Sequence, residues 1–204
     1  MRKTRKYNKN KNKLKTLKSK KKRIFTKKHY MSGDGMLTTV WGPSMWHYLH
    51  TMSFNYPICP SRQDKKNYKE FIYNLTNVLP CKYCRKNLIS NLKAHPLKAC
   101  HLKNRETYSR YVYNLHEIVN KMLNKKSGLS YCDVRERYEH FRSRCVNKKP
   151  KIFKFKKTKK QKEKGCTEPL YGQKAKCVIK IVPQNEKCKT LTIDKQCIKN
   201  KINI

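Results

Sequence analysis

The sequence predicts an all-α fold, a four-helix bundle with a short fifth helix, and three observations carry that expectation. Apolar residues recur at helical spacing through the middle of the chain, capping residues and prolines bracket those runs, and strand-like alternation is absent from the same region. Such a bundle needs one apolar stripe per helix and short connections, and the middle of the chain supplies both.

The first helix is expected behind Gly42-Pro43, a pair that suits a helix start. Met45, Tyr48, Leu49 and Met52 then fall at i, i+3, i+4 and i+7. Ser61 with Asp64 forms a capping box ahead of the second helix, whose stripe is Tyr68, Phe71, Ile72, Leu75 and Leu79. Pro80 stops it. A short third helix is expected from the Cys81–Cys84 region to about Lys93, before Pro96. Tyr108, Tyr111, Val112, Leu115, Val119 and Met122 mark a longer fourth. Gly128 ends the connection that follows, and Ser130 with Asp133 caps a short fifth helix through Phe141.

Composition limits where the core can lie. The 204-residue chain carries 52 Lys+Arg against 12 Asp+Glu, a formal net charge of +40, and the excess is concentrated at both ends. Residues 2–28 hold fifteen Lys or Arg and no acid, and from Val146 onward there are eighteen basic residues and four acidic ones. Residues 38–145 contain both Trp residues and most of the Tyr and Leu, so this stretch is expected to be the folded domain. Residues 1–37 are expected to be a disordered basic arm, because too few apolar side chains offset the entropy of ordering them. Such an arm suits nucleic acid or an anionic membrane surface, and a plain solvated tail fits equally.

Residues 146–164 are expected to be a Lys-rich linker. Residues 165–204 place Cys166, Cys177, Cys188 and Cys197 at near-regular intervals, with a β-like run at Val178–Val182. A small stapled module and a mobile thiol-bearing tail both fit, although the spacing is too wide for a usual zinc knuckle. No apolar run approaches the ~20 residues needed to cross a bilayer. The N-terminus also lacks the apolar core of a secretory signal, which points to an intracellular setting. Ten cysteines in such a chain favour metal binding or redox chemistry over a secreted disulfide scaffold.

The sharpest local feature is Pro80-Cys81-Lys82-Tyr83-Cys84-Arg85-Lys86 at an expected helix start. Two cysteines on a first helical turn can close into a disulfide. The helix N-terminus and the cations Lys82, Arg85 and Lys86 favour thiolate over thiol. Taken alone, the pair leaves redox chemistry, zinc and plain thiols open. Zinc would recruit Cys100, His101 or Cys132 to complete a tetrahedral site, but no second close-spaced pair exists in the domain. On the first helix Trp46 and His50 share a face, and on the fourth His116, Val119, Asn120 and Leu123 form a stripe that is half apolar and half hydrogen-bonding. Those stripes, beside a redox-type pair, suit a pocket for a flat polar cofactor with no metal.

Three stretches carry a resemblance: Trp41-Gly42-Pro43-Ser44-Met45-Trp46-His47-Tyr48-Leu49-His50, then Pro80-Cys81-Lys82-Tyr83-Cys84, then Leu115-His116-Glu117-Ile118-Val119-Asn120-Lys121-Met122-Leu123-Asn124-Lys125. In this order the chain resembles the Erv/ALR family of FAD-linked sulfhydryl oxidases over roughly residues 38–142. The resemblance implies a bundle around non-covalent FAD, usually in a homodimer. It implies FAD contacts from Gly42, Trp46, His50, His116, Val119, Asn120, Leu123 and Lys125, with Tyr138 against the adenine end. It implies further that a protein dithiol, or a thioredoxin-like relay, reduces the Cys81–Cys84 disulfide at Cys81. Cys84 then passes the electrons to FAD, and O2 takes them as hydrogen peroxide. The Lys/Asn bias resembles the versions in large DNA viruses, which would place the protein in a host cytoplasm or a virion. Pro43, Glu117 and Tyr113 depart from the family pattern. Tyr113 stands where many members have a cysteine that pairs near Cys132, so Cys132 either finds another partner, such as Cys145, or stays free. The competing reading is a zinc-dependent nucleic-acid-binding protein that uses the basic arms.

Overall fold

The computed structural model describes residues 27–31, 33, 35–146, 165–189 and 191–199; all of the expected linker except Val146, and most of the basic arm, lie outside them. Residues 1–33 and 34–204 form two compact units. In the first, the described residues form one helical turn, α1 (Lys27–Tyr30). The second holds α2 (Thr38–Phe54), α3 (Arg62–Val78), α4 (Lys82–Ala94), a 3-10 turn at Ala99–Leu102, α5 (Arg105–Met122) and α6 (Tyr131–Glu139). The expected four helices and short fifth are α2 to α6.

Caps explain most of the boundaries. Ser61 Oγ accepts the Asp64 N–H at 3.1 Å while the Asp64 carboxylate accepts the Ser61 N–H at 2.8 Å. Ser130 and Asp133 repeat the device at α6. Asn104 caps α5 by accepting the Thr107 N–H at 3.0 Å. At the far end of α5, Asn124 takes φ 53°, its N–H bonds Lys121 O at 3.1 Å, and the Lys125 N–H bonds Asn120 O at 2.8 Å. That is a Schellman stop with Asn in the left-handed position.

Two expectations need correction. Helix α2 starts at Thr38, not behind Gly42-Pro43, and carries Pro43 inside it. Pro43 removes one intrahelical bond from this early turn, but tertiary contacts hold the turn in place: Trp41 Nε1–H donates to Met36 O at 3.0 Å, and the Met36 N–H donates to Pro80 O at 2.7 Å. Residues 35–37, grouped with the arm by composition, therefore dock on the bundle. The β-like run Val178–Val182 forms no strand. Its Val178, Ile179 and Ile181 are 74%, 70% and 69% exposed, with no strand among the described residues to bury them. The strands lie elsewhere: β1 (Ser143–Val146) pairs antiparallel with β2 (Gly165–Pro169), Ser143 opposite Pro169 and Arg144 opposite Glu168. The Leu170 N–H continues this pairing to Arg142 O at 2.8 Å, and the Lys199 N–H reaches His140 Nδ1 at 3.3 Å.

The core between α2, α3, α4 and α5 is rich in tyrosine. Tyr56 and Tyr108 are fully buried with ring centroids 4.6 Å apart, and Tyr68 packs edge-on to Tyr56 at 4.7 Å. Buried phenols need partners. Tyr56 donates to Leu102 O at 3.0 Å and Tyr111 to His95 O at 2.9 Å, which ties the 3-10 turn and the end of α4 to the bundle. A second cluster of Phe54, Tyr131, Val134 and Tyr138 seats α6 against the end of α2. There Arg142 Nη2 donates to Phe54 O at 2.8 Å and Arg105 Nε to Tyr56 O at 2.7 Å, so cations satisfy carbonyls at and beyond the negative end of the α2 dipole. Tyr113 donates to Leu129 O at 2.7 Å and sets its ring edge-on to Tyr131, a non-covalent tie between α5 and α6. Cys132 beside it is free and exposed.

Candidate functional site

Cys81 is the N-cap of α4, in extended conformation with φ −159° and ψ 117°, and its Sγ accepts the Cys84 N–H at 3.2 Å. The two cysteines are disulfide-bonded, with Cα atoms 5.2 Å apart, and both are half-buried. The turn before them is well anchored. The Cys81 N–H donates to Leu79 O at 2.7 Å, the Arg85 guanidinium donates to the same oxygen, and the Arg85 N–H closes the first turn on Cys81 O at 3.1 Å. Lys82, Arg85 and Lys86 follow, with no acid in the first turn. A sulfur released here sits in a positive field that favours thiolate. Cys100 and Cys132 are free and exposed, and among the described residues no three His, Cys, Asp or Glu side chains converge as a metal would require.

A second constellation gathers on α2, α5 and α6. The Trp46 ring stacks on His116 with centroids 3.9 Å apart and planes 9° apart. His50 Nε2 and His116 Nδ1 share a hydrogen bond of 3.0 Å. His50 also lies 5.2 Å from the Tyr138 ring, and His47 Nδ1 meets the Tyr138 hydroxyl at 3.3 Å. Burial holds the His50 pKa down at about 3, with His116 and His47 adding to the effect. Burial likewise lowers His116 to about 4, Glu117 opposing and Lys125 assisting. Both imidazoles are therefore neutral. His50 Nδ1 is buried and has no hydrogen-bond partner in the protein. An orphaned polar atom of this kind costs about 1–3 kcal/mol, and a polar ligand at the site would remove that cost.

The residues expected to line a cofactor pocket divide into two groups. Trp46, His50, His116 and Tyr138 come together as a continuous set of rings. Gly42 is half-buried one turn earlier on α2, and a Cβ there would meet only the Thr38 methyl at 3.7 Å, so nothing within the protein demands glycine. Val119 and Asn120 are half-buried further along α5, where Asn120 Nδ2 donates to Glu117 Oε1 at 3.0 Å. Leu123 is 50% exposed as the C-cap, and Lys125 is exposed just past the Schellman stop. Neutral imidazoles, a stacked indole and an unpartnered nitrogen fit a flat, polar, aromatic ligand. His47 has no signal of its role in the sequence, because its partner Tyr138 becomes its neighbour only when α6 folds back. The docking of Gly35 and Met36 on the cysteine turn has no local sequence signal at all.

The two depressed histidines carry a pH prediction. The unfolded chain takes up protons near pH 6.5 that the folded chain refuses until about pH 4. Their contribution is therefore complete above that upper value and is lost as the pH falls through the window. Thermal melts without ligand are expected to lose on the order of 4 kcal/mol by about pH 5, roughly 2 from each imidazole. His50→Asn combined with His116→Asn should flatten that slope; an unchanged slope would show that other groups cause it. The capping carboxylates Asp64 and Asp133, held below their usual range by hydrogen bonds from Ser61 and Ser130, act only at lower pH.

The sequence model of the Erv1 / Alr family matches residues 43–139. A protein of Acanthamoeba polyphaga mimivirus described as a probable FAD-linked sulfhydryl oxidase is 34% identical over 99 residues, covering 48% of this chain and 68% of its own length. An African swine fever virus protein described as an FAD-linked sulfhydryl oxidase is 33% identical over 99 residues, covering 48% of this chain and 80% of its own. Among solved structures, the yeast Erv1 core aligns with a TM-score of 0.46 at 25% identity, over 59% of this chain and 95% of its own.

Proposed function

The chain belongs to the Erv1 / Alr family, and from that premise we propose that it is an FAD-linked thiol oxidase that forms disulfides in protein substrates. One juxtaposition carries the reading. A disulfide at a helix N-terminus is bridged through Met36 to Trp41, on the same helix as the Trp46–His50 face, whose buried Nδ1 lacks a partner. Trp46, His50, His116 and Tyr138 would hold FAD, with Gly42, Val119, Asn120 and Leu123 along the flanks and Lys125 available to a phosphate.

The protein's own chemistry is thiol–disulfide exchange. A substrate thiolate attacks Cys81; the Cys81–Cys84 bond breaks, a mixed disulfide forms at Cys81, and Cys84 leaves as thiolate. The cations of the first turn and the helix end favour that leaving group. A second substrate thiolate then attacks the substrate sulfur of the mixed disulfide, which releases Cys81 and an oxidised substrate. Two electrons now reside on the Cys81/Cys84 dithiol. FAD held by Trp46, His50, His116 and Tyr138 would supply the two-electron acceptor for this dithiol and the reactivity toward O2 that yields hydrogen peroxide. The neutral His50 and His116 keep extra positive charge out of the pocket, and the rings of Trp46 and Tyr138 exclude water from it.

We assign this activity to residues 38–145, as a homodimer fed by protein dithiols directly or by a thioredoxin-like relay. To residues 165–204 we assign a structural or partner-binding role. Two of the relatives are proteins of large DNA viruses, which supports a host cytoplasm or virion as the setting. No described helix is long and apolar enough to cross a membrane. The purified chain is expected to be yellow and to consume oxygen with dithiothreitol, and a chain ending at Val146 should do the same. A colourless full-length protein inert toward dithiothreitol overturns the oxidase reading. Loss of flavin on truncation alone overturns the domain boundary.

A further inference from the structure

Gly35 and Met36 precede α2 and lie across the turn that carries the disulfide. Gly35 pairs with Cys81 in an antiparallel bridge, and the Met36 N–H donates to Pro80 O at 2.7 Å. Trp41, in the first turns of α2, fixes this strap by donating Nε1–H to Met36 O at 3.0 Å. The approach is possible only without a side chain at position 35. Gly35 has φ +151°, and a Cβ there would stand 2.6 Å from Pro80 O and 2.9 Å from Cys81 Cα. Both are backbone atoms, so no rotamer change relieves the overlap. The Met36 side chain is 70% exposed, so the strap attaches through its backbone.

We infer that Gly35 is a positioning residue for the Cys81–Cys84 couple: the strap it permits pins Pro80 and Cys81 so that the reduced Cys81 stays at the N-terminus of α4. In the oxidised form the disulfide itself holds Cys81 over the first turn of α4. In the dithiol form that covalent link is gone, and the backbone alone keeps Cys81 Sγ where the Cys84 N–H and the helix end favour its thiolate. The strap therefore stabilises the reduced form more than the oxidised form and makes the disulfide a stronger oxidant. Its consequence for turnover rests on the oxidase reading. Its effect on the couple does not.

The test uses the full chain and needs no turnover. In glutathione buffers freed of O2, the disulfide and two glutathione thiols exchange with the Cys81/Cys84 dithiol and one glutathione disulfide. The equilibrium is read by trapping thiols and locating the label on Cys81 and Cys84 by mass spectrometry. Gly35→Ala is expected to shift it about tenfold toward the protein disulfide, about 30 mV for a two-electron couple. Trp41→Phe, which removes the Nε1–H, should shift it the same way by less. Met36→Ala, which keeps the backbone N–H, should match the wild type. A constant within about threefold of wild type in a folded Gly35→Ala, a change of under about 15 mV, overturns the proposal. So does a Met36→Ala shift as large as that of Gly35→Ala. If Gly35→Ala does not fold, an unchanged constant in Trp41→Phe overturns it instead. A wild type without oxygen uptake would sink the oxidase reading and leave this comparison standing.

Discussion

Cys84→Ser is expected to abolish dithiol-dependent oxygen uptake, by on the order of 10³-fold or more, the scale on which removing a reacting nucleophile acts, while FAD stays bound. A serine hydroxyl cannot close a disulfide with Cys81, so a substrate dithiol has no bond to exchange with. The substitution should leave the fold largely intact. Burial on α4 is carried by Leu88 and Leu92, and Cys84 itself is only half-buried in the first turn. The flavin should also remain, because the rings proposed to hold it lie on α2, α5 and α6 rather than on α4. Oxygen-electrode rates and the visible spectrum of the same sample separate the two effects. Near-normal turnover removes Cys84 from the mechanism.

His116→Ala together with Asn120→Ala is expected to yield protein that has lost FAD and melts at lower temperature. His116 is the hinge of the ring set: it stacks on Trp46 and supplies the one hydrogen bond that His50 Nε2 makes. Its removal leaves both nitrogens of a buried imidazole unpartnered, at about 1–3 kcal/mol, and forfeits a stack worth about 0.5–1.5 kcal/mol. Asn120 adds a half-buried amide one turn along, now spent on Glu117. A ligand that binds only the folded state also contributes stability by mass action, about 2.7 kcal/mol at a hundredfold excess over Kd, and this is lost with the flavin. The melting temperature should therefore fall further in the presence of FAD than in its absence. Unchanged flavin content would mean that the pocket lies elsewhere.

Helix existence was written in local chemistry. The Ser61–Asp64 and Ser130–Asp133 boxes formed as expected because capping is settled within three residues. The α5 stripe is legible because burying Tyr108, Tyr111, Val112 and Leu115 requires only helical period. The start of α2 is not legible locally, because its first turn is held from outside by contacts between Trp41, Met36 and Pro80 that no local preference reports. The β1–β2 pair is illegible in the sequence for a related reason. Four- and five-residue strands become strands only when a partner supplies the hydrogen bonds.

By itself the sequence determined the all-α class, the order of the helices and the cysteine pair at a helix start, since each depends on spacing along a single element. Helical period also places Trp46 with His50 on one face of the first helix and His116 with Asn120 on one face of the fourth. Only the tertiary structure decided that His50 would bury an imidazole with one nitrogen unpartnered, that Tyr138 would swing against His47 and His50, and that Gly35 would lie on Cys81. Those outcomes depend on backbones and rings meeting across tens of residues of chain. The physical reason is that hydrogen bonds, burial and steric overlap between distant segments leave no periodic trace in the residues that make them.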